Sequence, residues 1–75
     1  MAMVMKRRKG WKQVSKEVGA ETFVYVGKFH GNEIGCTVNC EDVQAWHEGS
    51  DGFGKSIGCY DTLLEAQKVC ELLCN

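Results

Sequence analysis

The sequence predicts an α+β domain: an antiparallel sheet of three or four strands with one carboxy-terminal helix packed on one face, preceded by a basic amino-terminal arm. Three observations carry this expectation. Residues 62–74 hold a sustained helical periodicity behind a capping signature, and residues 22–60 hold short β-branched and aromatic runs separated by turn residues. Six of the nine Lys and Arg residues fall within the first sixteen positions. With 75 residues, 44% hydrophobic and 25% charged, the chain has the composition of one globular domain and the length for one core.

Residues 1–10 are expected as a flexible arm and residues 11–75 as the domain. The arm reads Met1-Ala2-Met3-Val4-Met5 and then Lys6-Arg7-Arg8-Lys9, so its apolar stretch precedes its charges and is too short for a secretory core. No run of about 18 apolar residues follows, which excludes a spanning helix and points to a cytoplasmic, intracellular protein whose five cysteines stay free thiols. Trp11, Val14 and Val18 fit an amphipathic helix, and Val14 and Val18 fit one face of a strand equally well. Thr22 to Val26 and Ile34 to Asn39 read as a hairpin around His30-Gly31-Asn32-Glu33. Asp42 to Glu48 and Ser56 to Tyr60 read as two further strands, joined through the glycine-rich segment 49–54. In Thr62-Leu63-Leu64-Glu65 the hydroxyl and carboxylate have the spacing to cap a helix, which then places Leu63, Ala66, Cys70, Leu73 and Cys74 on its apolar stripe and Gln67 and Glu71 on its wet side.

Side chains alternate across a sheet, so the strands sort into two inventories. Val24, Val26, Ile34, Cys36, Val38, Cys40, Val43, Ala45, Ile57 and Cys59 are expected beneath the helix. The opposite parity collects Phe23, Tyr25, Phe29, Trp46 and Tyr60 beside Thr37, Asn39 and Gln44. An aromatic face left open by a single helix marks a contact surface. Charge selects the partner: residues 17–75 carry three lysines against ten acids, and Glu33, Glu41, Asp42 and Glu48 border the strands, so a protein partner fits better than nucleic acid. Self-association through the same face is the other option.

Chemistry-bearing motifs are sparse. Cys36/Cys40 and Cys70/Cys74 share a three-residue spacing, but two cysteines four apart in a strand sit about 13 Å from each other, beyond the reach of one metal ion. Zinc on Cys70 and Cys74 with His30, His47 or Cys59 ranks third among the functional readings, and no cofactor or metal site is assigned. A Cys59/His47 nucleophilic pair lacks a recognisable oxyanion hole. Gly49 and Gly54-Lys55-Ser56 have the spacing of a phosphate-binding loop without the strand-to-helix context that loop needs.

The run Ser56-Ile57-Gly58-Cys59-Tyr60-Asp61-Thr62-Leu63-Leu64-Glu65-Ala66 resembles the last strand and helix entry of plant ethylene-response-type DNA-binding domains and of the arm-binding domains of tyrosine recombinases. That resemblance implies three strands followed by one helix and a sheet that reads DNA, with Thr37, Asn39, Gln44 and Trp46 toward the duplex. The leading expectation is a non-enzymatic interaction protein whose acidic body and aromatic face dock on a macromolecular partner. Its character suits a phage or mobile-element inhibitor of a nucleic-acid-processing machine, of the anti-CRISPR type. The alternative is a DNA-binding accessory module of the recombinase-arm type, with Lys6, Arg7, Arg8, Lys9, Lys12 and Lys16 on phosphates.

Overall fold

The structure, a computed structural model, describes residues 8–17 and 20–74, without the side chains of residues 16 and 17. It is an α+β fold in which a five-stranded antiparallel sheet carries one carboxy-terminal helix. The strands are β1 (Trp11–Glu17), β2 (Ala20–Phe29), β3 (Asn32–Val38), β4 (Val43–Glu48) and β5 (Gly54–Tyr60), and the helix is α1 (Leu63–Leu73). Sheet order follows chain order, β1-β2-β3-β4-β5, a meander in which every strand pairs with its sequence neighbours.

The strand count exceeds the expected three or four because the segment beginning at Trp11 is a strand. Its partners explain the choice: Trp11 lies opposite Tyr25 and Gln13 opposite Phe23, so β1 extends an existing ladder and needs no core of its own. Trp11 is 7% exposed, with its ring 5.0 Å from that of Tyr25. The expected hairpin between β2 and β3 is present and tighter than the sequence implied. Phe29 pairs with Asn32, leaving His30 and Gly31 as a two-residue turn with φ of 52° and 80°. Two successive positive φ values match the right-handed twist of the flanking strands, and glycine at the second removes half of the steric cost.

α1 begins where the capping signature placed it. The Glu65 backbone N–H donates to Thr62 Oγ1 at 3.2 Å, and Thr62 itself is extended. Ala66, Gln67 and Cys70 are the buried helix residues. Gln67, expected on the wet side, is 5% exposed, while Leu73, expected on the stripe, is exposed together with Leu64 and Leu72. The core is the layer between α1 and the sheet: Trp11, Ile34, Cys36, Val43 and Ala45 from the strands meet Ala66 and Cys70 from the helix.

The partition of aromatics between the two sheet faces departs from the sequence expectation. Phe23 lies opposite Cys36, which lies opposite Ala45, and the Cys36 sulfur touches Cys70 of α1, so Phe23 faces the helix. Phe23, Tyr25, Phe29 and Tyr60 all pack against the helix-side core, and only Trp46 of the five expected open-face aromatics lies on the opposite side. Val24 and Val26, expected under the helix, belong to strand positions that alternate with Phe23 and Tyr25, and Val26 is 73% exposed. Cys40 and Cys59 are likewise exposed, Cys40 lying beyond the end of β3. In β5 the cause is a bulge: Ala45 pairs with Gly58 but Trp46 with Ser56, so Ile57 is an extra residue and parity changes along the strand. Ile57 and Tyr60, three residues apart, therefore both reach the core while Cys59 does not.

Candidate functional site

Among the described residues α1 is the only element outside the sheet, so the face turned away from it has no covering layer. Its centre is a small hydrogen-bonded group spanning three strands. Trp46 Nε1–H donates to Thr37 Oγ1 at 3.1 Å, and Thr37 and Thr22 hydroxyls are 3.3 Å apart across the β2–β3 pair. The indole lies over Gly35, where a Cβ would stand 2.7 Å from Cζ2. Glycine is thus what lets β4 lay its tryptophan flat across β3. Cross-strand register adds Gln44 and Cys59 to the same face, and Lys12 at its β1 border.

Charge is distributed by the ends of the strands rather than by the faces. Glu21, Val38, Val43 and Tyr60 are successive partners across β2 to β5 and mark one end of the sheet. Glu41 and Asp42 occupy the β3–β4 turn at that end, Asp61 follows Tyr60, and Glu65 lies in the first turn of α1. Five carboxylates gather there, and the Asp42 carboxylate beside Cys59 raises the pKa of that thiol. Among the described cations Lys68 follows Glu65 by three residues, one turn along α1; Lys16 pairs with Glu21 through its backbone, and its side chain is outside the described residues.

The four acids named from sequence therefore divide. Glu41 and Asp42 belong to the acidic end, whereas Glu33 and Glu48 lie at the opposite end, Glu33 directly across from Lys28. Lys55 at that end reaches Asp51 at 3.4 Å, and the Phe53 backbone N–H together with this lysine holds the Asp51 carboxyl below its usual range. The sequence missed Glu21, Asp61 and Glu65, which are distant in the chain. The meander order was the signal, since it brings one end of β2, the β3–β4 turn and the entry to α1 together.

Of the basic residues proposed for phosphate contact, Lys6 and Arg7 lie outside the described residues, as does the Lys16 side chain. Arg8 is engaged within the chain: its Nε and Nη2 donate to the two Glu71 carboxylate oxygens at 2.6 and 2.9 Å, and Trp11 Nε1–H donates to the same carboxylate at 2.8 Å. Such a forked pair fixes both partners in orientation. Arg8 holds the Glu71 carboxyl below the ordinary carboxylate range, with the Trp11 bond acting in the same direction. The pair forms one wall of a cleft of about 470 Å³ that Lys9, Gly10, Tyr25 and Val26 complete. Lys9 and Lys12 are exposed.

The catalytic and metal motifs do not assemble among the described residues. Cys59 pairs with Gln44 on the open face, whereas His47 follows the parity of Val43 and Ala45 toward the helix side, so the two lie on opposite faces. Gly54-Lys55-Ser56 opens β5 and leads into a strand, not a helix. No group of three or more His, Cys, Asp or Glu side chains stands close enough to hold a metal ion among the described residues. No described helix is long and apolar enough to cross a membrane. Comparison with protein-family models, curated proteins and solved structures gave no significant match.

Proposed function

We propose that this chain is a non-enzymatic interaction module that docks, through the acidic end of its sheet, on a basic surface of a protein partner. The observation that carries the reading is the segregation of charge. Glu21, Glu41, Asp42, Asp61 and Glu65 converge from two elements and two turns, with Lys68 one turn along α1 from Glu65 as a single described cation beside them, while Lys28 and Lys55 at the other end stand beside acids of their own. Like charges held together raise the local potential, and the binding energy returns when a surface of opposite sign replaces water and counterions. A protein groove built to hold phosphate has that sign. Occupying it would exclude nucleic acid, which is the action of an inhibitor of a nucleic-acid-processing machine, anti-CRISPR proteins being one such class. The open-face group around Trp46 and Gln44 adjoins Asp42 through Cys59 and supplies the less polar part of the contact.

The test is a pair of NMR titrations in 150 mM salt, one with an arginine-glycine dodecapeptide and one with a 20-base-pair duplex DNA. The expected result is peptide-induced shifts concentrated at Glu21, Glu41, Asp42, Asp61 and Glu65. A variant carrying Glu41→Gln, Asp42→Asn, Lys28→Gln and Lys55→Gln keeps the net charge and is expected to lose peptide binding by about tenfold or more. Unchanged peptide affinity in that variant shows that net charge alone acts and overturns the reading. Tight duplex binding with shifts at Lys9, Lys12 and Trp46 replaces it with the DNA-binding module.

A further inference from the structure

Cys36 sits in the middle of β3 and Cys70 in the last turns of α1, both with no exposed surface, and their sulfurs are 3.8 Å apart across the helix–sheet layer. The Cys70 sulfur also lies 3.7 Å from the Gly35 carbonyl oxygen, so it is held between two partners on the same strand. Cys40 and Cys59 are exposed, and Cys74 is half-buried one turn beyond Cys70. Five thiols thus fall into one preformed contact pair and three others with no thiol contact described.

We propose that Cys36 and Cys70 are a dithiol–disulfide couple, a covalent modification site that joins β3 to α1 when the chain meets a small-molecule disulfide of the oxidised glutathione class. The geometry fits with little motion. A disulfide needs about 2.05 Å between sulfurs, so from 3.8 Å each sulfur moves by less than about 1 Å. Access comes from opening of the carboxy-terminal turns of α1, where Leu72 and Leu73 are already exposed and least is lost by fraying.

The exchange proceeds in two steps. Cys70 thiolate attacks one sulfur of the oxidised tripeptide, the S–S bond of that molecule breaks, and one glutathione thiolate leaves. When the turn closes, Cys36 thiolate attacks the Cys70 sulfur of the mixed disulfide, the Cys36–Cys70 bond forms and the second glutathione leaves. The two thiol protons end on the two released glutathione thiols, and the two electrons lost by the protein reduce the small disulfide. Cys70 is the first nucleophile because it lies on the helix end that opens, whereas Cys36 stays in the middle of β3, paired on both sides by β2 and β4.

The experiment treats the full chain with oxidised glutathione in native buffer and, separately, in concentrated urea, then maps disulfides by mass spectrometry after trapping free thiols. In native buffer the expected product is about 2 Da lighter than the reduced chain at this pair, with a peptide linking Cys36 to Cys70. In urea the pairings are expected to scatter over all five cysteines. A Cys40→Ser, Cys59→Ser, Cys74→Ser variant leaves the buried pair intact. Its oxidised form is expected to melt at least about 10 °C above its reduced form, because the link closes a long loop, the two positions being 34 residues apart. Native oxidation that leaves Cys36 and Cys70 as trappable thiols while Cys40 and Cys59 carry glutathione overturns the proposal. So does an oxidised triple variant whose melting point is unchanged.

Discussion

Replacing Gly35 with alanine tests the arrangement of the open face directly. The new Cβ would stand 2.4 Å from the Phe23 carbonyl oxygen and 2.7 and 3.1 Å from Cζ2 and Cη2 of Trp46. The first neighbour is backbone, so relief there means parting the β2–β3 ladder, and the second is a rigid ring, so relief there means lifting the indole off the sheet. Lifting it breaks the bond to Thr37 Oγ1, a net loss of about 1 kcal/mol. Crowding of this kind adds about 1–3 kcal/mol, and the reduced chain entropy of alanine returns about 0.5 kcal/mol. The expected destabilisation is about 1.5–3.5 kcal/mol, against a total of about 4–11 kcal/mol for a domain of this length. Urea unfolding followed by circular dichroism reads the energy, and the Trp46 indole N–H resonance reads the cause. A Trp46→Leu change in both backgrounds completes a double-mutant cycle, in which the ring's share of the clash appears as coupling. If Gly35→Ala unfolds within about 0.5 kcal/mol of the parent and the Trp46 resonance does not move, the close approach of β4 to β3 is not as described.

Three further outcomes follow from the same structure. Thr62→Ala removes the acceptor for the Glu65 backbone N–H and is expected to cost about 1 kcal/mol, seen as a melting point lower by about 4–8 °C. Ile34→Ala empties a fully buried position between Cys36 and the turn end of β3, and a cost of about 2–5 kcal/mol is expected in the same urea assay. Glu71 titrates at a lower pH in the folded chain than in the unfolded one, so its contribution is present above the unfolded carboxylate value of about 4.3 and is lost as pH falls through the folded value. Glu71→Gln is therefore expected to flatten the dependence of melting temperature on pH below about 4.3, and an acid limb as steep as the parent's would contradict the Arg8–Glu71–Trp11 arrangement.

What could be read from the sequence, and what could not, depends on whether a local signal was unique. Thr62 with Glu65, and His30 with Gly31, name their own backbone geometry, and both the helix start and the hairpin stand where those residues placed them. Ile34, Cys36 and Val38, and Val43 and Ala45, alternate with polar or small residues, so their parity was legible. β2 offers no such contrast. Phe23 and Tyr25 alternate with Val24 and Val26, every position is apolar, and only pairing with β3 decides which set is inside. The irregular register of β5, where Ile57 is inserted, leaves no composition signal at all and moved Tyr60 and Cys59 to faces opposite to those expected. Trp11 to Glu17 was undecidable by spacing because β1 is stabilised by what it borders. The acidic end was half legible: Glu41 and Asp42 stood out as neighbours in the chain, whereas Glu21, Asp61 and Glu65 join them only through the order of the strands.

That order also sets how the chain reaches its native state. Each sheet contact closes a short hairpin, so no strand must wait for a distant segment, and the loop-closure entropy for each pairing is small. Hairpins form in about 1–10 μs, and sheets assembled from neighbours fold toward the fast end of β-containing domains. The helix–sheet layer is the exception: Cys70 meets β3 from 34 residues away, and Arg8 and Trp11 meet Glu71 from 63 and 60. These sequence separations predict zippering of the meander before capture of the carboxy-terminal helix, which pulse-labelled hydrogen exchange would read as protection of the strands ahead of α1.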